Sequence, residues 1–338
     1  MRKNQPRVVV TGAGGFIGHH LVTFLKTRGH WVRGVDLKRP EFISTNADEF
    51  WQLDLRDPAN CQLAVSEVDN VYALAADMGG MGFISCNHAQ ILHNNALINI
   101  GTLEAARTSG VKRYLFTSSA CVYPEYRQLV TDASALKEED AYPADPQDAY
   151  GWEKLITEQL CIHYRRDYGL QTRIVRFHNI FGPYGTWTGG REKAPAALCR
   201  KIAIAKLTGH HDIEIWGDGK QTRSFCYIDD CIEGIYRLMN ADFQWPLNLG
   251  QDRLISINEL ADIIAEIAGV CVKKIHVSGP QGVRGRNSDN TLLRKVLGWT
   301  PQVSLEEGLA LTYRWTEEQV RASLAAQGTT SKITALVI

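Results

Sequence analysis

A glycine-rich segment between an apolar run and a helical stretch constrains the fold of this chain most strongly. The segment Thr11–Gly18 reads TGAGGFIG and directly follows the apolar residues Val8–Val10. Its residues Gly12, Gly15 and Gly18 permit a tight turn, a close approach of backbone to a bound pyrophosphate, and close packing of a helix on a strand. The order of strand, glycine loop and helix predicts the first βαβ unit of a doubly wound parallel sheet.

Short apolar segments alternate with longer helical segments through the first half of the chain, which predicts an α/β fold with a parallel Rossmann sheet. The predicted strands are Arg7–Thr11, Trp31–Asp36, Asn70–Ala75, Arg113–Ser118 and Thr172–Phe177. The predicted helices are Phe16–Thr27, Phe83–Ser109 and Asp148–Tyr168.

The pattern changes after Asn179, where a glycine- and proline-rich loop covers Phe181–Lys193. A helix near Ala194–Thr208 and a strand near Asp212–Trp216 follow it, residues near Ser224–Gly250 resemble a further βαβ stretch, and helices dominate from Ser256. We therefore expect two domains and a tail. The expected ranges are 1–180 with 220–250 for a cofactor domain, 181–219 with 251–325 for a smaller, mainly helical substrate domain, and 326–338 for a tail without assignment.

Charge and cysteine content exclude several classes of protein. The 338 residues, enough for about two domains, carry 37 Lys and Arg against 37 Asp and Glu. Zero net charge argues against a nucleic-acid binder, which needs a basic excess. No apolar run approaches the roughly 20 residues that cross a bilayer, and the first residues lack the apolar core of a signal peptide. Eight scattered cysteines without a C-x-x-C pair predict free thiols, so we expect a soluble cytoplasmic protein.

An acidic residue, Asp36, ends the second predicted strand about 20 residues beyond the glycine segment. A carboxylate at this place accepts hydrogen bonds from the adenosine ribose and repels a 2′-phosphate, so the sequence favours NAD over NADP. Asp54 and Leu55 follow another short strand, and they either flank the adenine or lie in a surface loop.

Tyr150 and Lys154 are four residues apart in a predicted helix, so their side chains share one face. Near a nicotinamide, a Lys ammonium beside the phenol is expected to lower the pKa of Tyr150, so that the phenolate takes a hydroxyl proton as hydride leaves. Ser119 lies just past a predicted strand, at the sheet edge where doubly wound folds bind ligands. We expect its hydroxyl to bond the same substrate oxygen.

These residues and the glycine segment resemble the extended short-chain dehydrogenase/reductase superfamily over nearly the whole chain. The resemblance implies NAD as cofactor and a nucleotide sugar that is oxidised transiently at one carbon. The 4,6-dehydratases of this superfamily typically carry an acidic pair directly after the Ser or Thr. Ser119 is followed instead by ACVY, so a dehydration lacks its acid and base. The implied NAD contacts are Gly12, Gly15, Phe16, Ile17, Gly18, Asp36, Asp54, Leu55, Ala75, Tyr150 and Lys154.

Six longer blocks narrow the resemblance to the GDP-mannose 3,5-epimerase family. They are Ala75–Phe83, Ser118–Pro124, Arg176–Pro183, Gly189–Pro195, Trp216–Ser224 and Gly282–Asp289. In that family a cysteine and a lysine on opposite faces of the sugar form the acid/base pair, which implies this role for Cys121 and Lys193. Tyr150 and Lys154 then serve the oxidation step. Which of Cys121 and Lys193 acts as base at C3 and at C5 stays open.

The resemblance implies GDP-mannose as substrate, with GDP-L-galactose and GDP-L-gulose as products. Arg223 and Arg286 suit the diphosphate, because a guanidinium binds phosphate oxygens in a bidentate manner. The residues that recognise guanine are not visible in the sequence. The further implied substrate contacts are Gly79, Ser119, Ala120, Cys121, Asn179, Glu192, Lys193, Lys201 and Gln221.

Several alternatives stay open at this point. Without the wider resemblance, Cys121 would be an inert buried thiol and Lys193 a solvated lysine. The enzyme could act on another nucleotide-activated hexose, and an NAD-binding scaffold without turnover is a different class, which the intact catalytic residues disfavour. The histidine pairs lack the spacing of metal ligands, so no metal site is expected. The resemblance implies that the long helix Phe83–Ser109 pairs with its copy in a homodimer, although its stretch 93–95 is equally suited to packing beside the cofactor.

Overall fold

The computed structural model describes residues 6–326 of the chain. Its strands are β1 (Arg7–Thr11), β2 (Trp31–Asp36), β3 (Glu49–Gln52), β4 (Asn70–Ala73), β5 (Arg113–Ser119), β6 (Gln171–Phe177), β7 (Ile180–Phe181), β8 (Asp212–Trp216), β9 (Thr222–Arg223), β10 (Cys226–Tyr227), β11 (Pro246–Leu249), β12 (Ile255–Ser256), β13 (Lys273–Val277) and β14 (Gly285–Arg286). Its helices are α1 (Phe16–Thr27), α2 (Pro58–Ala64), α3 (Met81–Ile84), α4 (His88–Thr108), α5 (Ala149–Tyr168), α6 (Ala194–Thr208), α7 (Ile228–Asn240), α8 (Ile257–Ala268), α9 (Thr291–Leu297) and α10 (Leu305–Ala326).

A seven-stranded parallel sheet forms the centre of the molecule, in the order β11-β6-β5-β4-β1-β2-β3. Side chains of β1 alternate between two cores, because successive residues of a strand point to opposite faces. Val8 and Val10 pack with α1 and α7, whereas Val9 packs with α2, α4 and α5. The predicted doubly wound α/β fold is therefore confirmed.

The strand order reverses at β1, since β2 and β3 lie on one side of it and β4, β5, β6 and β11 lie on the other. In doubly wound folds, ligands bind in the crevice outside the carboxyl ends of the strands at such a reversal. The loops that follow β1, β4 and β5 all open at this edge.

Two predicted elements are shorter than expected, and side-chain hydrogen bonds explain both. The helix over Phe83–Ser109 is interrupted, because Asn87 is not helical (φ −130°, ψ 38°) and its Nδ2 donates to the Phe83 carbonyl at 2.8 Å. The strand that begins at Asn70 ends at Ala73, because Thr11 Oγ1 accepts the next two backbone N–H groups at 3.1 and 3.2 Å.

The second half of the chain contains more strand than the sequence predicts. Helices α6, α8 and α10 pack together, but β8 pairs with β13, and β9 lies between β12 and β14. Strand β8 was predicted, and its buried isoleucines alternate with exposed residues. Strands β9, β12 and β14 have only two residues each, too few to show an alternation of apolar residues. After α7 the chain returns to the main sheet, where β11 pairs with β6.

Residues 327–338, which make up nearly all of the predicted tail, lie outside the described residues. Among residues 6–326, no helix has both the length and the apolar character needed to cross a membrane.

Candidate active site

The loop between β1 and α1 presents backbone N–H groups to the crevice. Gly15 is the N-cap of α1, and no side chain caps that helix end. A Cβ atom on Gly18 would lie 2.0 Å from the Gly12 carbonyl oxygen, so only glycine lets α1 pack this close to the loop. Phe16 and Ile17 begin the helix and pack, partly buried, against the core. An uncapped helix N-terminus of this kind suits a pyrophosphate.

The Asp36 carboxylate is fixed beside this loop at the end of β2. Its Oδ2 accepts the Gly14 N–H at 2.9 Å, and its Oδ1 accepts the Lys38 N–H at 3.2 Å. A ribose hydroxyl bound next to the loop would meet this carboxylate. Gly14 is not among the predicted cofactor residues, although its position between Gly12 and Gly15 was an available signal.

The other predicted cofactor residues lie at the ends of neighbouring strands. Ala75 donates its N–H to Thr11 Oγ1 at 3.2 Å, directly beside the glycine loop. Asp54 forms an ion pair with Arg56 at 2.6 Å, and this contact holds the pKa of Asp54 below its usual value. Leu55 is buried beside α2. An adenine contact for Asp54 and Leu55 stays a prediction.

Tyr150 and Lys154 lie on one face of α5, whose first turn is capped by the Asp148 carboxylate. Tyr150 is 7% exposed and forms a hydrogen bond with Ser119. Lys154 is 2% exposed, and its Nζ lies 4.7 Å from the ring centroid of Phe116 and 5.5 Å from that of Tyr150. The helix therefore brings the phenol, the ammonium and the Ser119 hydroxyl to one place.

In the protein without a cofactor, the pKa of Tyr150 is raised well above its ordinary value. The lowering by Lys154 that is expected beside a bound nicotinamide stays a prediction. Burial is the largest cause of the rise, and nearby acidic groups, among them Cys121 and Glu153, add to it. Burial also lowers the pKa of Lys154, which the Glu153 carboxylate opposes. A phenol in this environment needs an additional cationic group in the crevice before its pKa falls.

Cys121 follows β5 in a 3₁₀ turn, where Ser119 Oγ accepts its N–H at 3.2 Å. Arg286 on β14 donates from Nη1 to Cys121 Sγ at 3.3 Å and from Nε to Gln128 Oε1 at 2.5 Å. Gln128 is fully buried and thereby orients the guanidinium. Gln128 could not be predicted from the sequence, because nothing in its local pattern distinguishes it from a surface glutamine.

A second guanidinium, that of Arg223, lies next to Arg286. Burial and the charge of Arg286 lower the pKa of Arg223 to about 9, while the Cys121 thiol opposes the shift. Arg223 donates to the backbone carbonyls of Thr222 and Val283, and within residues 6–326 neither guanidinium is paired with a carboxylate. Two uncompensated cations side by side make this part of the crevice a site for an anion.

Lys193 is the N-cap of α6, close enough to Cys121 for the two charges to interact. Solvent reaches its side chain, yet the protein walls around it lower the pKa of the ammonium. An ammonium at a helix N-terminus is also unfavourable. Both effects favour the neutral amine, which can accept a proton.

The remaining predicted substrate residues already use part of their polar groups within the protein. Asn179 Nδ2 donates to the Ser224 carbonyl at 2.9 Å, and Lys201 Nζ donates to the Glu214 carbonyl at 2.8 Å. The Gln221 Nε2 donates to the Trp216 carbonyl at 3.0 Å, whereas its buried Oε1 has no partner within residues 6–326. That oxygen is available to a ligand donor.

Both carboxylate oxygens of Glu192, an implied hexose contact, already accept hydrogen bonds within the protein. Its Oε1 accepts from Arg200 Nη2 at 2.8 Å, and its Oε2 accepts the Gly190 N–H at 2.7 Å. Gly79 lies buried in the loop after β4, and Ala120 lies buried beside Cys121. These three positions therefore shape the crevice mainly through backbone and packing.

Cys121 lies at the centre of the charged groups. Its thiol interacts electrostatically with Tyr150, Lys154, Lys193 and Arg223, and it accepts a hydrogen bond from Arg286. The structure therefore brings together, in one crevice, residues that are far apart in the sequence.

Comparison with known proteins identifies the family. The model of the NAD dependent epimerase/dehydratase family matches residues 8–250, a stretch that runs from β1 to the end of β11. The chain belongs to this family.

The epimerase is similar to "GDP-mannose 3,5-epimerase 1" of Oryza sativa subsp. indica, with 53% identity over 93% of this chain and 82% of the relative. It is also similar to "GDP-mannose 3,5-epimerase" of Arabidopsis thaliana, with 51% identity over 94% of this chain and 84% of the relative. Among solved structures, UDP-glucose 4-epimerase from Thermotoga maritima, determined with UDP-glucose, matches with a TM-score of 0.83 and 27% identity, and covers 93% of this chain and 99% of that one.

NAD is the cofactor of this epimerase, and the crevice fits it. The uncapped N-terminus of α1 suits the pyrophosphate, and the Asp36 carboxylate suits an unphosphorylated ribose. The NAD preference that the sequence predicts is confirmed.

Proposed function

We propose that the enzyme epimerises GDP-mannose at C3 and C5 to GDP-L-galactose, and that inversion at C5 alone gives GDP-L-gulose. One observation carries the proposal. Enzymes named GDP-mannose 3,5-epimerase share 51–53% of their residues with this chain over more than nine-tenths of its length. A thiol, an amine and two guanidinium groups that pair with no carboxylate within residues 6–326 converge in its crevice and supply the groups that this reaction requires.

The cofactor contacts follow from the β1–α1 loop and the strand ends around it. When bound, NAD supplies a hydride acceptor and donor together with a cationic ring. We assign its binding to Gly12, Gly15, Phe16, Ile17, Gly18, Asp36, Asp54, Leu55, Ala75, Tyr150 and Lys154.

Tyr150 removes the proton from the C4 hydroxyl of the hexose. Ser119 holds the phenol by a hydrogen bond and is in reach of the same substrate oxygen. The Lys154 ammonium, 5.5 Å from the ring centroid, stabilises the phenolate by its charge. The resulting ketone at C4 acidifies the C–H bonds at C3 and C5.

Cys121 and Lys193 then exchange protons with C3 and C5. One group takes a proton from one face of the ring, and the other group returns a proton to the opposite face, so that the carbon inverts. The lowered pKa of Lys193 suits this role, because a group that both accepts and donates protons works best near the ambient pH. Re-reduction at C4 returns the proton from Tyr150 to the sugar oxygen.

The nucleotide part of the substrate lies against residues of the second half of the chain. Arg223 and Arg286 neutralise the diphosphate. We assign the substrate contacts to Gly79, Ser119, Ala120, Cys121, Asn179, Glu192, Lys193, Lys201, Gln221, Arg223 and Arg286. Residues 181–219 and 251–325 thus form the nucleotide-sugar domain, and residues 1–180 with 220–250 form the NAD domain.

The substrate is tested by incubating the purified enzyme with GDP-mannose and identifying the product sugars by NMR. We expect GDP-L-galactose and a smaller amount of GDP-L-gulose. Turnover of a different nucleotide hexose, with GDP-mannose left unchanged, would contradict the proposed substrate and favour a related epimerase.

The enzyme is proposed to act as a homodimer in the cytoplasm. Helices α4 and α5 pack together and between them expose five large apolar side chains: Leu92, Leu97, Ile100, Trp152 and Ile156. Exposed apolar side chains on two packed helices support an interface, and free cysteines, including Cys121, suit a reducing compartment.

The dimer is tested by the double variant Ile100→Arg, Ile156→Arg. Two buried charges at an interface without partners would separate the subunits, so light scattering should report the mass of one chain. Leu311→Arg, on an equally exposed residue of α10 (44%), should leave the wild-type mass unchanged. A monomeric wild-type protein would contradict the proposal.

A further inference from the structure

The segment 189–193 leads to Lys193, and its position depends on two side chains. Gly189 and Gly190 both have positive φ (+90° and +82°), and a Cβ atom on either would meet nothing within 4 Å. The two glycines therefore make a turn but contribute no packing. The contacts that fix the segment come from Arg191 and Glu192.

Arg191 joins the segment to the loop that follows β4. Its carbonyl accepts the Gly80 N–H at 3.0 Å, and its Nη1 donates to Asp77 Oδ1 at 3.2 Å. Its guanidinium also lies 3.7 Å from the centroid of the Phe83 ring. A Cβ atom on Gly80 would lie 2.3 Å from the Glu192 carbonyl oxygen, so the loop and the segment are in direct backbone contact.

Asp77 is a fixed acceptor because α4 holds it on both sides. Its Oδ2 accepts from Gln90 Nε2 and Asn94 Nδ2, each at 3.0 Å. The buried amide of Asn95 bonds the Asp77 N–H at 2.6 Å and the Asp77 carbonyl at 3.2 Å. Burial alone would raise the pKa of Asp77, but these bonds and the charge of Arg191 hold it below its usual value.

Glu192, the next residue after Arg191, is held by Arg200 of α6 and by the Gly190 N–H. Arg191 is thus bound to the loop that follows β4, and Glu192 is bound to α6. Lys193 is the next residue of the chain. The Lys193 ammonium in turn interacts with the Cys121 thiol.

We propose that Arg191 is a positioning residue, which acts through Asp77 and Phe83 to hold Lys193 at its working distance from Cys121. The proposal rests on the proposed function, in which both groups must reach one sugar ring. A misplacement of about 1 Å in such a pair costs on the order of 100-fold in rate. The Arg191 side chain is 46% exposed and Asp77 is 17% exposed, and a single partly exposed ion pair contributes little to stability, so its loss should leave the fold intact.

The test compares Arg191→Gln, Asp77→Asn and the double variant with the wild-type enzyme. We expect kcat on GDP-mannose to fall at least tenfold in each single variant, because Lys193 loses its position. KM, NAD content and melting temperature should stay within the wild-type range, since none of these requires Lys193 to be aligned. The double variant should lose no more activity than either single one, because both substitutions remove the same contact.

Two further variants separate positioning from a general structural role. Arg191→Lys keeps the charge opposite Asp77 and should recover part of the lost kcat. Arg253→Gln removes a more exposed ion pair, with Glu306 at 2.6 Å, and should leave kcat unchanged. Amide hydrogen exchange should rise in peptides that cover 77–83 and 189–193 of Arg191→Gln, with or without substrate.

Unchanged kcat and unchanged hydrogen exchange in Arg191→Gln would overturn the proposal, as would losses that multiply in the double variant. An inactive wild-type enzyme that nevertheless shows faster exchange on loss of Arg191 would refute the proposed function and leave the positioning contact supported.

Discussion

The Cys121 thiol lies where three cationic side chains of the crevice converge. Arg286 donates to its sulfur at 3.3 Å, and the charges of Lys193 and Arg223 interact with it. Reactive cysteines are typical of electropositive, partly exposed positions of this kind, whereas an inert thiol lies in apolar surroundings. The surroundings of Cys121 therefore favour a catalytic role over that of an inert thiol.

Replacement of Cys121 should separate catalysis from cofactor binding. In Cys121→Ala, epimerisation should fall by several orders of magnitude, because one face of the sugar loses its proton-exchanging group. NAD content, measured after release from the protein, should be unchanged. Cys86→Ala, which alters an exposed cysteine, is the matched control and should retain activity. A Cys121→Ala enzyme that epimerises normally would refute the acid/base assignment.

Gly18→Ala tests the close packing of α1 on the glycine loop. Because the new Cβ atom would lie 2.0 Å from a backbone oxygen, α1 must shift away from the loop. We expect a loss of about 1–3 kcal/mol in the free energy of unfolding and a reduced NAD content. Thr23→Ala on the same helix should change neither quantity. Wild-type NAD content in Gly18→Ala would show that the helix start does not hold the pyrophosphate.

At the scale of elements, a buried ion pair joins the strands and the helix that carry the catalytic residues. Arg176 on β6 donates to both oxygens of Glu158 on α5, at 2.8 and 2.7 Å, and both side chains are 1% exposed. Ser118, the neighbour of Ser119 on β5, donates to the same carboxylate at 2.5 Å. These contacts fix β5 relative to α5, and hence Ser119 relative to Tyr150.

Glu158→Gln should destabilise the protein strongly, because it leaves the buried Arg176 guanidinium without the carboxylate that neutralises its charge. The expected loss is about 3–5 kcal/mol in the free energy of unfolding, measured by urea denaturation. Glu306→Gln breaks an exposed pair with Arg253 and should cost about 0–1 kcal/mol. Equal effects of the two substitutions would contradict the structural role of the buried pair.

Helices and strands could be predicted where the residues that determine them lie within the segment itself. The bounds of α1 and α6 agree with the sequence prediction, because glycines and apolar spacing mark them within the segment itself. The break at Asn87 and the bond between Arg286 and Cys121 were not predictable in the same way. The first depends on one side chain that competes for a carbonyl, and the second joins residues 165 positions apart.

At the scale of the whole molecule, a buried histidine makes the stability depend on pH. Burial and then the charge of His20 lower the pKa of His19 from 6.5 to about 4. Between about pH 4 and pH 6.5, the unfolded chain therefore binds a proton at His19 that the folded chain does not bind. The contribution of the neutral His19 ring to the free energy of unfolding is complete above about pH 6.5 and is lost as the pH falls towards 4.

Between pH 7 and pH 5 this residue should remove about 2 kcal/mol from the free energy of unfolding. His19→Phe should show a correspondingly weaker dependence on pH in urea denaturation. His210→Gln, on an exposed histidine, should keep the wild-type dependence. Identical pH profiles for His19→Phe and the wild type would show that His19 is not buried as a neutral ring.

In the proposed mechanism, a C4 ketone lets Cys121 and Lys193 exchange the protons at C3 and C5 of GDP-mannose. Incubation of the NAD-loaded enzyme with GDP-mannose in D₂O, followed by mass spectrometry and proton NMR, tests it most directly. We expect deuterium at both C3 and C5 and none at C4, because the C4 hydride returns without contact with solvent. An NAD-loaded enzyme that incorporates no deuterium at either C3 or C5 would refute the proposed mechanism.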